Sequence, residues 1–321
     1  MTEVPLFGTR FRLLGGLAAA AVLGSCSDSG AGPSTPYPYD LLYVTGSFGN
    51  FDIHRIHLDG TGDTTLTSSI ADDEEPATTP GDPRIVFVSH RTNQPELYLM
   101  NPDGSNQVPL TADTGNLDAG TLQPAWSLDG GRIVYTRLRY NPGNTPAHEI
   151  FSMNADGTGR VPLTPPSDTG GNIFPSYSAD GSRIVFWRFP NDGASGIFIM
   201  NANGSNMTRL TGDPHGDTDP CWNTAGTQIV FVRTGDDTVP PDFHHTNLWI
   251  MNADGSDQHR LLSTGAVSDS MVTCRWSPDG QKIAVVHGNK VAVVNVADHS
   301  VHDIIQGIEP AWIPRETAAR H

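Results

Sequence analysis

The stretch IMNADGSDQHRLL, from Ile250 to Leu262, decides the fold because the chain spells it four times. Near copies are FIMNANGSNMTRLT (198–211), FSMNADGTGRVPLT (151–164) and YLMNPDGSNQVPLT (98–111). In each, apolar residues precede Met-Asn, a pair ending in Asp-Gly or Asn-Gly follows, and a polar run closes on Leu or Leu-Thr. Asp-Gly and Asn-Gly tolerate the positive φ of tight turns, so β-rich runs on both sides predict two strands joined as a hairpin. A second Gly-containing turn recurs upstream, in PAWSLDGGRIVYT (124–136), PSYSADGSRIVFW (175–187), PCWNTAGTQIVFV (220–232) and CRWSPDGQKIAVV (274–286). Each unit therefore holds four short strands: an aromatic anchor strand, an apolar strand, a Met-Asn strand and an outer Arg-Leu-Thr strand.

The repeat sets the architecture. Thr78, Trp126, Tyr177, Trp222, Trp276 and Trp312 fall in register, spaced 48, 51, 45, 54 and 36 residues apart. A four-stranded propeller blade takes ~40–50 residues. Leu41–Thr45 and Ile53–Gly60 form a copy without its anchor strand, whereas EPAWIP (309–314) is an anchor strand with no blade after it. The fragments complete each other. The expected fold is all-β, a six-bladed β-propeller of four-stranded blades, its ring closed by the C-terminal strand joining the first blade, which removes free edges.

Composition and the N-terminus bear on location. The formal net charge is −16, which disfavours nonspecific nucleic-acid binding. Arg10 and Arg12 precede LLGGLAAAAVLGSC (13–26), an apolar run too short to span a bilayer comfortably. Residues 1–25 are expected to be a secretory leader, 26–38 a flexible tether, 39–314 the propeller and 315–321 a tail. The ending LGSC resembles the bacterial lipobox; that resemblance implies cleavage before Cys26 and a lipid on its thiol. Ser27 after it then favours the outer membrane if the host is Gram-negative. Cys221 lies immediately before Trp222 and Cys274 two before Trp276. Successive strand side chains point to opposite faces, so this offset predicts two small buried thiols rather than a bridge.

The repeats resemble the TolB-like propeller family, whose units read roughly P-x-W-S-P-D-G-x-x-I-x-F, then M-N-x-D-G, then R-L-T. The resemblance runs from Leu41 to Pro314 and implies the propeller fold and an envelope protein without catalytic activity that grips a protein or glycan. The family's namesake carries a further N-terminal α/β domain; the dozen or so tether residues here leave the resemblance to the propeller alone. Oligogalacturonate lyases also resemble this repeat type, which keeps a metal-dependent polysaccharide lyase as the alternative.

Catalytic motifs are scarce: G-x-S-x-G, H-E-x-x-H, a P-loop and paired C-x-x-C are all absent from the sequence. The Asp-Gly turns lack the further ligands of a calcium loop. The tight turns gather at one face and the long connections at the other, where binding residues usually sit. The residue before each anchor strand is expected to approach the central channel, giving a rim of Glu75, Gln123, Phe174, Asp219, Thr273 and Glu309. Three carboxylates there could attract a divalent cation or a basic side chain. Phe243, in the longest loop, is a candidate anchor for a partner. His215, Asp217, His244 and His245 are the weak candidates for metal ligands, since imidazole and carboxylate suit Zn or Mn. Arg137, Arg188 and Arg233 recur at one blade position, as Asp73 and Asp217 do at another, which is expected to make an ion-pair lattice between blades. The chain is expected to act as a monomer with no cofactor.

Overall fold

The computed structural model describes residues 37–315, apart from 93, 112–117, 142–144, 166–170, 190–194, 213–215, 235–245, 264–270 and 288–289. Cys26, His215, Phe243, His244 and His245 lie outside the described residues.

Six four-stranded blades follow one another, each running from an inner to an outer strand. Blade 2 is Asp73–Thr79, Asp82–Ser89, Glu96–Met100 and Val108–Pro109; blade 3 is Asp118–Trp126, Arg132–Asn141, Thr145–Asn154 and Val161–Pro162. Blade 4 is Gly171–Tyr177, Arg183–Phe189, Gly196–Asn201 and Thr208–Arg209, and blade 5 is Gly216–Trp222, Gln228–Thr234, Thr246–Asn252 and His259–Ser263. Blade 6 is Met271–Trp276, Lys282–His287, Lys290–Asn295 and Val301–Gln306. Blade 1 takes its inner strand, Ile308–Pro314, from the C-terminal end and the rest, Tyr39–Ser47, Asn50–Ile56 and Thr64–Thr65, from the start. Pairing within blades is antiparallel; blades 3 and 4 also touch through one parallel step, His148 beside Gly171.

The second strands explain why the sequence reads Ile-Val-Phe-Val rather than alternating. Each is buried on both faces. In blade 2, Val86 and Val88 pack toward blade 3, whereas Ile85 and Phe87 pack toward blade 1. The core is thus six apolar wedges, one at each junction between neighbouring blades. The anchor residues are the wedge tips. Trp126 packs on blade 2 and donates its indole N–H to Ala77 O at 3.2 Å, and Trp312 packs on blade 6 and donates to Arg275 O at 2.9 Å. Tyr177 reaches Ser152 Oγ of blade 3 at 2.7 Å.

Turn chemistry accounts for the repeated dozen residues. In MN-P-DGS, the Asp103 carboxylate accepts from the Ser105 N–H at 2.9 Å and from its hydroxyl at 2.6 Å, while Asn101 Nδ2 donates to Ser105 Oγ at 2.9 Å. The same bonds recur around Asp156, Asn203 and Asp254. Gly104 has φ +82°, and a Cβ there would overlap the Leu66 carbonyl of blade 1; Gly204 stands likewise against Leu163 of blade 3. Glycine is needed for the turn and for the approach of the next blade. The closing Thr has its own task. Thr67, Thr111, Thr164 and Thr211 each accept, through Oγ1, a backbone N–H of the third strand at 2.8–3.0 Å.

Closure rests on main-chain pairing and on a buried charge. Leu41 pairs with Trp312, Leu42 with Ala311 and Tyr39 with Pro314. Beside them Asp40, fully buried, takes Arg315 Nε and His57 Nδ1 on one oxygen, both at 2.8 Å, and Arg55 on the other at 2.9 Å. Removing one partner of a buried charge cluster leaves the others uncompensated. Replacing Asp40 by Asn is therefore expected to lower stability by about 2–3 kcal/mol, short of a sealed pair because His57 and Arg315 reach solvent. Deleting residues 309–321 removes Trp312 as well, worth ~3–5 kcal/mol alone. Denaturant melts of both variants check this, and a truncated chain as stable as the parent would contradict closure.

Candidate functional site

At the channel end where the long connections gather, all six expected rim residues share one backbone conformation. Glu75, Gln123, Phe174, Asp219, Thr273 and Glu309 have φ between 49° and 59°. A non-glycine residue is uncommon in this left-handed region. Each sits at an irregularity in the pairing of its inner strand: Leu122 faces Thr136 but Ala125 faces Val134, and the other blades repeat the slip. An extra residue is thus inserted in every inner strand, as in a β-bulge.

The bulge turns a backbone N–H toward the preceding blade, where a side chain meets it. Glu309 Oε2 accepts from the Glu75 N–H at 2.7 Å, Glu75 Oε2 from the Gln123 N–H at 2.6 Å, and Gln123 Oε1 from the Phe174 N–H at 3.1 Å. Gln123 Oε1 also accepts the Thr136 hydroxyl at 2.8 Å. Each rim side chain in this series serves the next blade, and an amide left without its acceptor costs about 1–3 kcal/mol. Phe174 has no acceptor, so the series ends there. Two of the three rim carboxylates, Glu75 and Glu309, are committed in part to backbone amides.

Asp219 is the third, and its setting differs. It is 8% exposed, it lines the channel with Gln123, Phe174 and Arg275, and burial pushes its carboxyl above the ordinary carboxylate value, with Arg275 opposing. The channel encloses about 170 Å³. Sites for drug-sized ligands run to ~300–1,000 Å³, so this space suits water or a small solute rather than a polymer. Any larger partner must use the face.

Of the remaining predicted ligands, Asp217 is the one among the described residues, and it is occupied. Asp217 is buried and makes a two-pronged ion pair with Arg233, at 2.7 and 2.9 Å. Arg233 also lies 4.3 Å from the Trp249 ring centroid. Arg137 and Arg188 likewise cover Phe151 and Phe198 of their own blades, and Arg91 pairs with Asp73 at 2.7 Å. The ion pairs expected between blades are thus within blades, because Asp217 and Arg233 are direct cross-strand neighbours. Among the described residues, no group of three or more His, Cys, Asp or Glu side chains is arranged to hold a metal ion.

Two features escaped the sequence reading. Cys221 and Cys274 do not diverge: their sulfurs are 2.9 Å apart. Neighbouring blades meet through opposite faces of their sheets, Val230 of blade 5 packing with Ile283 and Val285 of blade 6, so the one-position offset points the two thiols at each other. The second is Phe48 and Ile70, 78% and 95% exposed, the two most exposed large apolar side chains among the described residues. Phe48 is at the tip of the blade 1 hairpin and Ile70 follows its outer strand, so both belong to the long-connection face. Single apolar residues in polar loops leave no periodicity to read.

A testable consequence concerns Asp219. Its raised pKa means that the folded state favours the neutral acid. Stability is then fullest at acid pH and falls as pH rises above the unfolded value near 3.8. Asp219→Asn lacks this titration. Its melting temperature should match the parent near pH 3 and exceed it at pH 7; a parent more stable at pH 7 would show that the Thr218 hydrogen bond and Arg275 together outweigh burial.

Comparison with known proteins bears on the whole ring. Over 184 residues the chain is 29% identical to an uncharacterized protein of Agrobacterium fabrum, covering 56% of this chain and 60% of that protein. Over 139 residues it is 30% identical to the Tol-Pal system protein TolB of Anaeromyxobacter dehalogenans, covering 43% of this chain and 29% of that one. The chain thus spans less than two thirds of the length of either relative. In fold it is similar to the crystal structure of TolB from Acinetobacter baumannii, with a TM-score of 0.66 and 21% identity over 86% of this chain and 67% of that chain. Residues 118–309, which hold blades 3 to 6, match the TolB beta propeller domain, and the chain belongs to that family, PD40.

Proposed function

We propose that this chain is an exported, lipid-anchored propeller of the bacterial cell envelope that binds a protein or glycan partner through its long-connection face. The observation that carries the reading is the placement of Phe48 and Ile70. Burying an exposed aromatic ring and a branched aliphatic chain offers a partner substantial apolar area at little entropic cost. Both lie on the face whose connections vary from blade to blade, whereas the opposite face repeats the same two tight turns. The net charge of −16 favours approach by a basic partner. Similarity to a Tol-Pal system protein and the leader with its LGSC ending support the envelope setting. The small channel argues for a contact surface over a catalytic pocket that takes a polymer.

The face is tested by placing a photo-crosslinking residue at position 48 or 70, and at 103 or 254 among the tight turns, in cells. Crosslinks to one defined partner are expected from 48 and 70. Crosslinks from 103 and 254 alone would put the contact on the other face. The anchor is tested separately: Cys26→Ser should move the protein from the membrane pellet to the soluble fraction. A variant that still sediments with membranes refutes lipidation at Cys26.

A further inference from the structure

The junction between blades 5 and 6 is built differently from its neighbours. At the other junctions the chain carries other residues just before one anchor and two before the next. These read Ala77 with Pro124, Ala125 with Pro175, and Ala311 with Pro76 across the closure. Five of the six inner strands carry proline two residues before the anchor; blade 6 carries Cys274. Its counterpart on blade 5 is Cys221. Both side chains are buried, the sulfurs are 2.9 Å apart, and Cys274 Sγ also lies 3.1 Å from Asp219 O. A disulfide requires about 2 Å between the sulfurs, so the two need to close by about 1 Å.

This junction also lacks bonds that others have. Trp276 Nε1 is buried without a partner, as Trp222 Nε1 is one junction earlier, whereas Trp126 and Trp312 donate to the preceding blade. The side-chain relay along the rim has already ended at Phe174.

We infer that Cys221 and Cys274 form a disulfide that staples blade 5 to blade 6. The oxidant is a disulfide, either small-molecule or carried by a thiol–disulfide oxidoreductase. One cysteine thiolate attacks an oxidant sulfur, giving a mixed disulfide and releasing one reduced thiol. The second cysteine thiolate then displaces the other oxidant sulfur. Two electrons pass to the oxidant, two protons leave the cysteines, and the oxidant ends as two thiols. Burial pushes the Cys274 thiol well above its ordinary value. It therefore stays protonated in the closed ring, and exchange belongs to folding, before the junction shuts.

The bond closes a loop of about 50 residues, long enough for a sizeable loss of unfolded-state entropy. On a domain of this size that corresponds to roughly 5–10 °C in melting temperature. The inference stands apart from the partner and the anchor, and its test needs neither. The full chain, unfolded and reduced, is refolded with oxidised and reduced glutathione. It is then denatured in N-ethylmaleimide without reductant and mapped by peptide mass spectrometry. Cys221 and Cys274 peptides joined to each other are expected. Maleimide on both, or either joined to Cys26 or left with glutathione, overturns the inference. In parallel, dithiothreitol applied during refolding should lower the parent's melting temperature by that amount. It should leave the Cys221→Ser, Cys274→Ser double variant unmoved, and a parent equally stable in both conditions also overturns it.

Discussion

Six strands converge on a channel of about 170 Å³, so their inward-facing amides have little water to turn to. The bulge in each inner strand is the response to that crowding. It accepts a left-handed residue, at a cost of order 1–3 kcal/mol each, and aims one N–H at the neighbouring blade. Glycine would relieve the backbone but could supply no acceptor. Glu309, Glu75 and Gln123 do supply one, so strain in one blade is offset by a bond to the blade before it. Strained backbone often marks a reacting centre. Here it recurs in all six blades, which identifies it as part of the scaffold.

Away from the channel the same dependence between neighbours is apolar. No blade has a core of its own, since each second strand gives alternate side chains to the blades on either side. The tight turns extend this outward, with the glycine of one blade packed against the leucine carbonyl of another. Gln107 Nε2 and Arg160 Nη2 bind those same carbonyls, at 3.3 and 2.6 Å. The repeated sequence is thus the record of a repeated junction. Asp-Gly on one blade and Leu-Thr on the last are two halves of a single contact.

How much of this was legible follows from what periodicity encodes. Recurring turns and anchors revealed the blade count and the closure, because both depend on position along the chain. They also picked out six equivalent positions that share one left-handed backbone conformation. What those side chains do was not legible, since a carboxylate that accepts a backbone amide and one that faces solvent are spelled alike. The Asp217–Arg233 pair was recognised as repeated chemistry but assigned across blades, because cross-strand register shows only once the strands are paired. The cysteines were misjudged for a sharper reason. Side chains on opposite faces of their own strands are the ones that meet across a junction, because each blade lays one face on the blade before it and the other on the blade after. Phe48 and Ile70 carry no pattern at all.

The meeting of the two chain ends carries one more implication. Tyr39 lies beside Pro314, and the Arg315 N–H donates to Pro38 O at 2.8 Å. The seam in blade 1 is held by the same ladder, wedge and turns as any uncut blade. In physical terms the ring has no first member: covalent order is a thread laid over a cyclic solid. A gene that began at another turn and joined these ends by a short linker would describe the same object. Evolution could therefore rotate the starting point of such a chain, or add and remove whole units, while each junction kept the contacts that hold it.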